Sequence, residues 1–555
     1  MSRRVVVLAF VVVALVVSPI GVAVATPAGG AVVGNETADE PRPDGPHVAA
    51  VYPNPLAEED AGEYVVLAFP EATNLTGWTL SDGETNVSLP NTTIEDRIAV
   101  TATPNVTTNL TTASIVGVNE SVSLANGGDE VTLRDEERVV DEMAYEDAPE
   151  AERYNRTADG WTWEHLGATN FSAVRTGPAT VRAFVLPDAP AVPIDVLESA
   201  DRRILLGGYT FSSERAATAL ERAAERGVDV RILVDDAPVG GMTTRQAKLL
   251  NRLTSAGVAV EVIGGKRARY DYHHPKYAVV DDRALVMTEN WKPSGTGGRS
   301  SRGWGAVVRG GETAPGLAEV FRADIGWRDT VSWSTYRANE TFETEPAANG
   351  SYPTNFEPKE IEAQGVQLLT APDNAERVLV DRIDRANESV EIVQASIGSR
   401  RQPLLEAAVR AAERGVDVRI LLSSVWYSEE ENSALADWLN RKAEAENLTL
   451  DAKVADPGDR FEKIHAKGVI IDREMAVVGS LNWNNNSADQ NREVAVVLEG
   501  KEAGEYYGKI FEADWEGGDG GPGIGDNSPL PVGIVAAVVG VVALAVVVAR
   551  RIEFE

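Results

Sequence analysis

Three of the chain's five histidines stand in two short stretches that share one pattern. In one, His465-Ala466-Lys467 is followed by Asp472 and then by Gly479-Ser480-Leu481-Asn482. In the other, His273-His274-Pro275-Lys276 is followed by Asp281, Thr288 and Asn290. Side chains at i and i+2 of an extended strand share a face, so each His stands beside its Lys. A neutral imidazole can attack phosphorus or carry a proton near neutral pH. A neighbouring Lys can hold a non-bridging phosphate oxygen and stabilise the charge that builds there. Ser480 and Asn482 repeat the i, i+2 spacing and are expected to offer a hydroxyl and an amide to the same oxygens; Thr288 and Asn290 are their counterparts. One such set is half a site. Two sets brought together put two imidazoles around one phosphate, one to attack and one to protonate the leaving oxygen.

A duplication supplies the two sets. Ala-Ala-Glu-Arg-Gly-Val-Asp-Val-Arg-Ile-Leu occupies 223–233 and recurs unchanged at 411–421. Around it the order repeats: an opening strand ending in Pro187-Asp188 or Pro372-Asp373, an apolar strand, and an alanine-faced helix closed by Gly227 or Gly415. The shared Val-Arg-Ile-Leu strand, a second helix and the His-Lys-Asp stretch follow. Each copy closes on Phe-Arg-Ala-Asp (321–324) or Phe-Glu-Ala-Asp (511–514). A period this long predicts a duplicated domain, not a solenoid. Alternating strands and helices predict an α/β layer with a mixed sheet in each half, over 180–327 and 365–515. The polar stretch 328–364 reads as a linker.

The double motif inside a duplicated unit resembles the phospholipase D superfamily, whose signature His-X-Lys-X4-Asp and Gly-Ser-X-Asn is matched by His465, Lys467, Asp472, Gly479, Ser480 and Asn482. The first half matches with His274, Lys276 and Asp281. The resemblance implies a metal-independent phosphodiesterase or phosphatidyltransferase working through a phosphohistidine, with no cofactor, and with each Asp bracing the motif. The first half departs from the pattern, with Met287 for Gly479 and Thr288 for Ser480. The family often places a carboxylate that orients the imidazole where Glu493 stands. Matching Ala306-Val307-Val308 to Ala495-Val496-Val497 sets Trp304 opposite Glu493, leaving Asp271 or Glu289 to serve His274. Family habit makes the first His the nucleophile, whereas Glu493 behind it makes His465 look better prepared. The two roles stay open at this level.

The rest of the chain frames this unit. Residues 47–176 alternate short β-branched runs with turns such as Asn126-Gly127-Gly128-Asp129 and predict an all-β, immunoglobulin-like sandwich. They resemble the lamin-tail domain through Pro53-Asn54-Pro55, Glu63-Tyr64-Val65-Val66-Leu67, Gly77-Trp78-Thr79-Leu80-Ser81-Asp82 and Gly128-Asp129-Glu130-Val131-Thr132-Leu133. That resemblance implies binding or spacing, with no protein partner identifiable. Residues 1–25 read as a secretory signal and 26–46 as a disordered spacer. After a Gly/Pro linker at 516–529, the uncharged run within 530–549 predicts one transmembrane helix. Arg550 and Arg551 place the tail 550–555 in the cytoplasm and the body outside the cell. Fourteen Asn-X-Ser/Thr sequons fit an exported glycoprotein. The absence of Cys excludes disulfides and thiolate chemistry, and the net charge of −33 fits a solvated surface suited to high salt. The expected activity is on a phosphodiester, with phospholipid preferred. The alternatives are a nuclease on extracellular DNA and a non-catalytic surface binding protein.

Overall fold

The computed structural model describes residues 45–517, apart from 58–60, 120–122, 159, 339 and 345–347. The two copies of the repeat fold alike. In the first, the strands run Ala259–Ile263, Asp229–Asp235, Arg203–Gly208, Lys276–Val280, Arg283–Met287, Ser301–Arg309, Ala179–Leu186 across the sheet. In the second the same order is Leu450–Val454, Asp417–Leu422, Ser389–Gln394, Gly468–Ile471, Met475–Gly479, Glu493–Glu499, Gly365–Ala371. The first three strands of each list are mutually parallel and the rest pair antiparallel, the mixed sheet that the sequence predicts. The crossovers are the expected helices. Glu214–Glu225 buries Ala216, Ala217, Ala219 and Ala223, and Ser213 caps it by accepting from the Ala216 N–H. Its counterpart Pro403–Glu413 buries Ala407, Ala408, Ala411 and Ala412. Gly227 and Gly415 follow with φ of +87° and +90°, the left-handed turn that ends a helix at lowest steric cost.

The halves are joined through a common core. Val181, Tyr277, Trp304 and Phe321 from the first pack with Ile464, Ile470, Val496, Tyr507 and Phe511 from the second. The C-terminal helices of the two repeats, Thr313–Ile325 and Lys501–Glu516, contribute to this layer. Its chemistry is that of a domain interior, so the two sheets hold one fixed relation. Trp304 lies over the other half's Gly468, where an added Cβ would come within 2.2 Å of the ring.

The stretch expected as a plain linker is partly built into the sheets. Thr330–Ser332 pairs with Ala259–Ile263 at one edge of the first sheet, and Lys359–Ala363 pairs with Ala179–Leu186 at the other. Lys359–Ala363 buries Ile361 and Ala363 and exposes Glu360 and Glu362, as a strand covering an open edge should, whereas Thr330–Ser332 is half-buried only at Thr330. Residues 47–166 fold as two sheets, six- and four-stranded, around Val51, Val65, Leu67, Trp78, Leu80, Val131 and Leu133. This is the expected all-β unit. Its last strand, Val174–Thr176, leaves it and pairs with Gly365–Ala371 of the second half.

The expected single-pass placement requires correction. Among the described residues, no helix is long and apolar enough to cross a membrane. The apolar run within 530–549, the tail 550–555, the signal-like residues 1–25 and the spacer up to 44 lie outside the described residues.

Candidate active site

Each histidine is delivered to the other half of the molecule. The backbone N–H of His274 donates to the carbonyl of Arg492, at 2.9 Å, and that of His465 donates to the carbonyl of Arg302, also at 2.9 Å. The strand Lys463–Ile464 runs alongside Ser301 and Arg302, while His273 bridges to Arg492. Each His-X-Lys stretch thus crosses the interface first, and its own strand begins afterwards, at Lys276 or Gly468.

The two arginines that receive these strands are fully buried and tie the halves by charge. Arg302 pairs with Asp188 of its own half at 2.5 Å and with Asp514 of the other at 2.8 Å. Arg492 pairs with Asp373 of its own half at 2.6 Å and with Asp324 of the other at 3.1 Å. The Pro-Asp and Phe-X-Ala-Asp signatures of the repeat are therefore the two ends of one ionic clamp. Such a clamp fixes geometry, because removing one partner strands a buried charge.

Carboxylates also cross over. Glu493 of the second half meets His274 Nδ1 of the first at 2.8 and 3.0 Å. Glu289 of the first half lies 3.3 Å from His465 Nδ1 of the second. This corrects two expectations at once: Glu493 does not stand behind His465, and Glu289 does not serve His274. The register explains the error. Leu186 pairs with Gly303 exactly as its counterpart Ala371 pairs with Glu493, and Met287 pairs with Gly305 where Gly479 pairs with Ala495. Gly303, not Trp304, is the structural counterpart of Glu493. The Glu289 side chain fills the space that a side chain at 303 would take, for a Cβ on Gly303 would lie 2.1 Å from Glu289 Cγ. One half has moved its carboxylate from a strand to the preceding turn and left a glycine behind.

The environments of the two pairs differ. Burial alone would raise Glu493, but the facing His274 and Lys276 outweigh it and hold the carboxyl below its ordinary value. Asn491 donates to it at 3.3 Å. Burial pushes Glu289 up to about 7 despite nearby Lys467 and Lys463, and its Oε1 has no hydrogen-bond partner. Burial lowers His274 to about 4, and burial with Lys467 and Lys276 holds His465 well below the usual imidazole value. Both lysines are buried too. Burial holds Lys276 well below its ordinary value and brings Lys467 to about 8. Each Nζ donates to the carbonyl of the histidine two residues before it, the Lys467 bond being 2.7 Å. A phosphate entering this buried site would favour the charged form of both lysines.

The remaining predicted residues divide. Asn290 is buried and Asn482, half-buried, holds the equivalent place in the repeat, so the amide N–H groups available to a phosphate oxygen come one from each half. The hydroxyls of Thr288 and Ser480, expected to face the phosphate, are instead spent on the neighbouring strand. Thr288 Oγ1 accepts from the Trp304 N–H at 3.0 Å, and Ser480 Oγ accepts from the Val494 N–H at 3.1 Å and donates to the Val494 carbonyl at 3.3 Å. They fasten the strands that hold Glu493 and Gly303. Asp281 and Asp472 stand at the far ends of their strands. Asp281 accepts from the backbone of Asp201, Arg202 and Arg203, and Asp472 from that of Asn387, Glu388 and Ser389, as braces should. Tyr209, absent from the sequence reading, stands edge-on to His274 with ring centroids 4.6 Å apart. No spacing rule marks it, since it belongs to the segment after a strand elsewhere in the half.

Residues 194–325 and 379–515 match the family described as cardiolipin synthase, PLD-like domain. A phospholipase D of Rickettsia felis is 30% identical over 140 residues, which span 25% of this chain and 63% of that protein. Cardiolipin synthase A of Cronobacter sakazakii is 34% identical over 98 residues, 17% of this chain and 18% of that one. The chain therefore spans less than two thirds of the length of these relatives. A phosphatidylserine synthase structure from Haemophilus influenzae aligns over 60% of this chain and 87% of its own, at 13% identity and a TM-score of 0.46. The family match over both halves, with the sequence relatives, supports placing the duplicated α/β unit of this chain in the phospholipase D superfamily.

Proposed function

We propose that the chain cleaves or exchanges phosphodiesters through a phosphohistidine on His274, with phospholipid as the preferred substrate class. The observation that carries this reading is the reciprocal pairing of His274 with Glu493 and of His465 with Glu289 across the two halves. An ionised Glu493 accepts a hydrogen bond from His274 Nδ1–H, which keeps that proton on Nδ1 and leaves the Nε2 lone pair free to attack. Glu289, close to half-protonated at neutral pH, keeps a proton beside His465. The first imidazole is thus dressed as a nucleophile and the second as an acid.

In the first step His274 Nε2 forms a bond to phosphorus, the bond to the leaving oxygen breaks, and His465 gives that oxygen its Nε2 proton while taking the proton of Glu289 at Nδ1. Lys276 and Lys467, with the amides of Asn290 and Asn482, bind the non-bridging oxygens as negative charge builds on them. In the second step water or an alcohol attacks phosphorus, His465 takes its proton, and the bond to His274 breaks. Water gives hydrolysis and an alcohol gives transfer. Phospholipid is preferred because the relatives named above are a phospholipase D and a cardiolipin synthase. The β-sandwich, which resembles the lamin-tail domain, serves in this reading as a binding or spacing module.

The test is turnover of a chromogenic phosphodiester by the whole chain in multimolar salt. Steady release of chromophore that is lost in His274→Ala supports the reading. A folded protein without turnover would leave only a phosphate-binding surface.

A further inference from the structure

Two turns at the ends of equivalent strands carry the most exposed large apolar side chains among the described residues. Trp426 and Tyr427 are 76% and 57% exposed, and Val239 is 64% exposed. Tryptophan is rarely left this open in a folded domain. The first turn follows the strand Asp417–Leu422 and is closed by the Ser428 N–H donating to the Val425 carbonyl at 2.9 Å. The second follows the matching strand Asp229–Asp235 and is closed by the Gly241 N–H donating to the Pro238 carbonyl at 2.7 Å. The apolar tips therefore occupy the same place in both repeats.

Both turns begin beside the residue that immediately precedes a histidine of the site. Asp235, which ends the first-half strand, accepts the His273 N–H at 2.6 Å. Ser423, one residue past the second-half strand, accepts the Ile464 N–H at 3.3 Å. The Val239 N–H donates at 2.5 Å to the hydroxyl of Tyr209, the ring that stands against His274. The Tyr427 ring lies 5.7 Å from the Nζ of Lys463, two residues before His465. Two apolar tips thus flank one mouth, with Lys463 beside the aromatic one.

From this arrangement we infer that the tips of Val239 and Trp426-Tyr427 dock the mouth of the site on the surface of a lipid bilayer. Indole and phenol rings favour the boundary between headgroups and hydrocarbon, where the ring is buried and its polar atom stays wet. Lys463, beside the aromatic tip, would meet the headgroup phosphate layer. A single-stranded polynucleotide could also stack on exposed aromatics, but such surfaces pair them with basic grooves. Here one tip is aliphatic, the aromatic tip runs into exposed Glu429, Glu430 and Glu431, and Asp236 flanks the other. The contact is peripheral and involves no membrane span. It deepens the reading proposed above by naming the form in which the substrate is met.

The experiment compares the whole chain with Trp426→Ser/Tyr427→Ser and Val239→Ser variants in multimolar salt, which screens long-range charge. The expected result is that turnover of phosphatidylcholine in vesicles falls about tenfold in the double variant, while kcat/KM for a soluble chromogenic diester is unchanged. A second readout needs no turnover. The fluorescence lost on Trp426→Phe should be quenched in the wild type by vesicles with brominated acyl chains, so failure of the catalytic reading and failure of docking are separable. Unchanged vesicle turnover together with no quenching would overturn the inference. An equal loss on both substrates, or loss of single-stranded DNA binding without loss on vesicles, would overturn it as well.

Discussion

In the second half of the repeat, the strand Glu493–Glu499 opens with the carboxylate that faces His274. In the first half the equivalent position is Gly303, and the carboxylate that faces His465 arrives from the adjacent turn as Glu289. The oxygen reaches a similar place by two routes, but the surroundings are not the same. Glu493 holds two contacts to its imidazole and one from Asn491, and is ionised. Glu289 makes a longer contact, leaves one oxygen bare and keeps a proton near neutrality. A duplicated unit with two like histidines has thereby acquired two unlike ones.

The largest test of that difference is to remove each imidazole in turn. His274→Ala should reduce turnover to background with every substrate, because no nucleophile remains. His465→Ala should cost about 10²- to 10⁴-fold on a diester with an alkoxide leaving group. On a p-nitrophenyl ester, whose phenolate leaves without a proton, the loss in the first step should shrink sharply, although the second step still lacks its base. Pre-steady-state burst kinetics on the two esters reads both effects. Equal losses on both substrates for both variants would erase the distinction between the halves.

Cutting the ionic clamp tests whether the halves depend on each other for geometry. Arg492→Met leaves Asp373 and Asp324 buried without their cation and should destabilise the fold by about 3–5 kcal/mol. Arg302→Met should do the same through Asp188 and Asp514. Denaturant titration measures both.

Moving the carboxylate back is a sharper, smaller test. Glu289→Ala should lower turnover of alkyl esters about 10- to 100-fold by leaving His465 unoriented. Adding Gly303→Glu to that variant should restore much of it, because the side chain would enter the space Glu289 vacates. Gly303→Glu alone should be harmful, since the two side chains would then overlap.

The pH profile follows from the same asymmetry. Glu289 is raised to about 7 and Lys467 lowered to about 8, and both act in their protonated forms. Activity should therefore fall as pH rises through about 7 to 8. In Glu289→Gln, which cannot ionise, the fall should begin only near 8, at a lower plateau. A pH–rate profile of each protein decides this.

Much of the frame was legible in the residues. The repeated Ala-Ala-Glu-Arg-Gly-Val-Asp-Val-Arg-Ile-Leu, the alanine-faced helices and the two His-X-Lys stretches each reflect local periodicity, and the fold honours them. What the sequence hid is long-range. A run such as Ala-Val-Val offers several registers, and matching Ala306 to Ala495 lies one residue away from the paired register, which exchanges Gly303 for Trp304. The crossing of each histidine to the other half depends on a shared apolar core that no spacing reveals. Ser480 and Thr288 could serve a phosphate or a strand equally well by type, and backbone geometry gave them to the strand. Lys359–Ala363 read as linker because an edge strand needs only one apolar face and its partner lies far away in the chain.

The most direct measurement traps the covalent intermediate. In His465→Ala the second step lacks its base, so a p-nitrophenyl diester should release one equivalent of p-nitrophenol in a burst and stall. Alkaline quench and peptide mapping should then place the phosphoryl adduct on His274. A burst with no adduct, or an adduct on any other residue, would contradict the account.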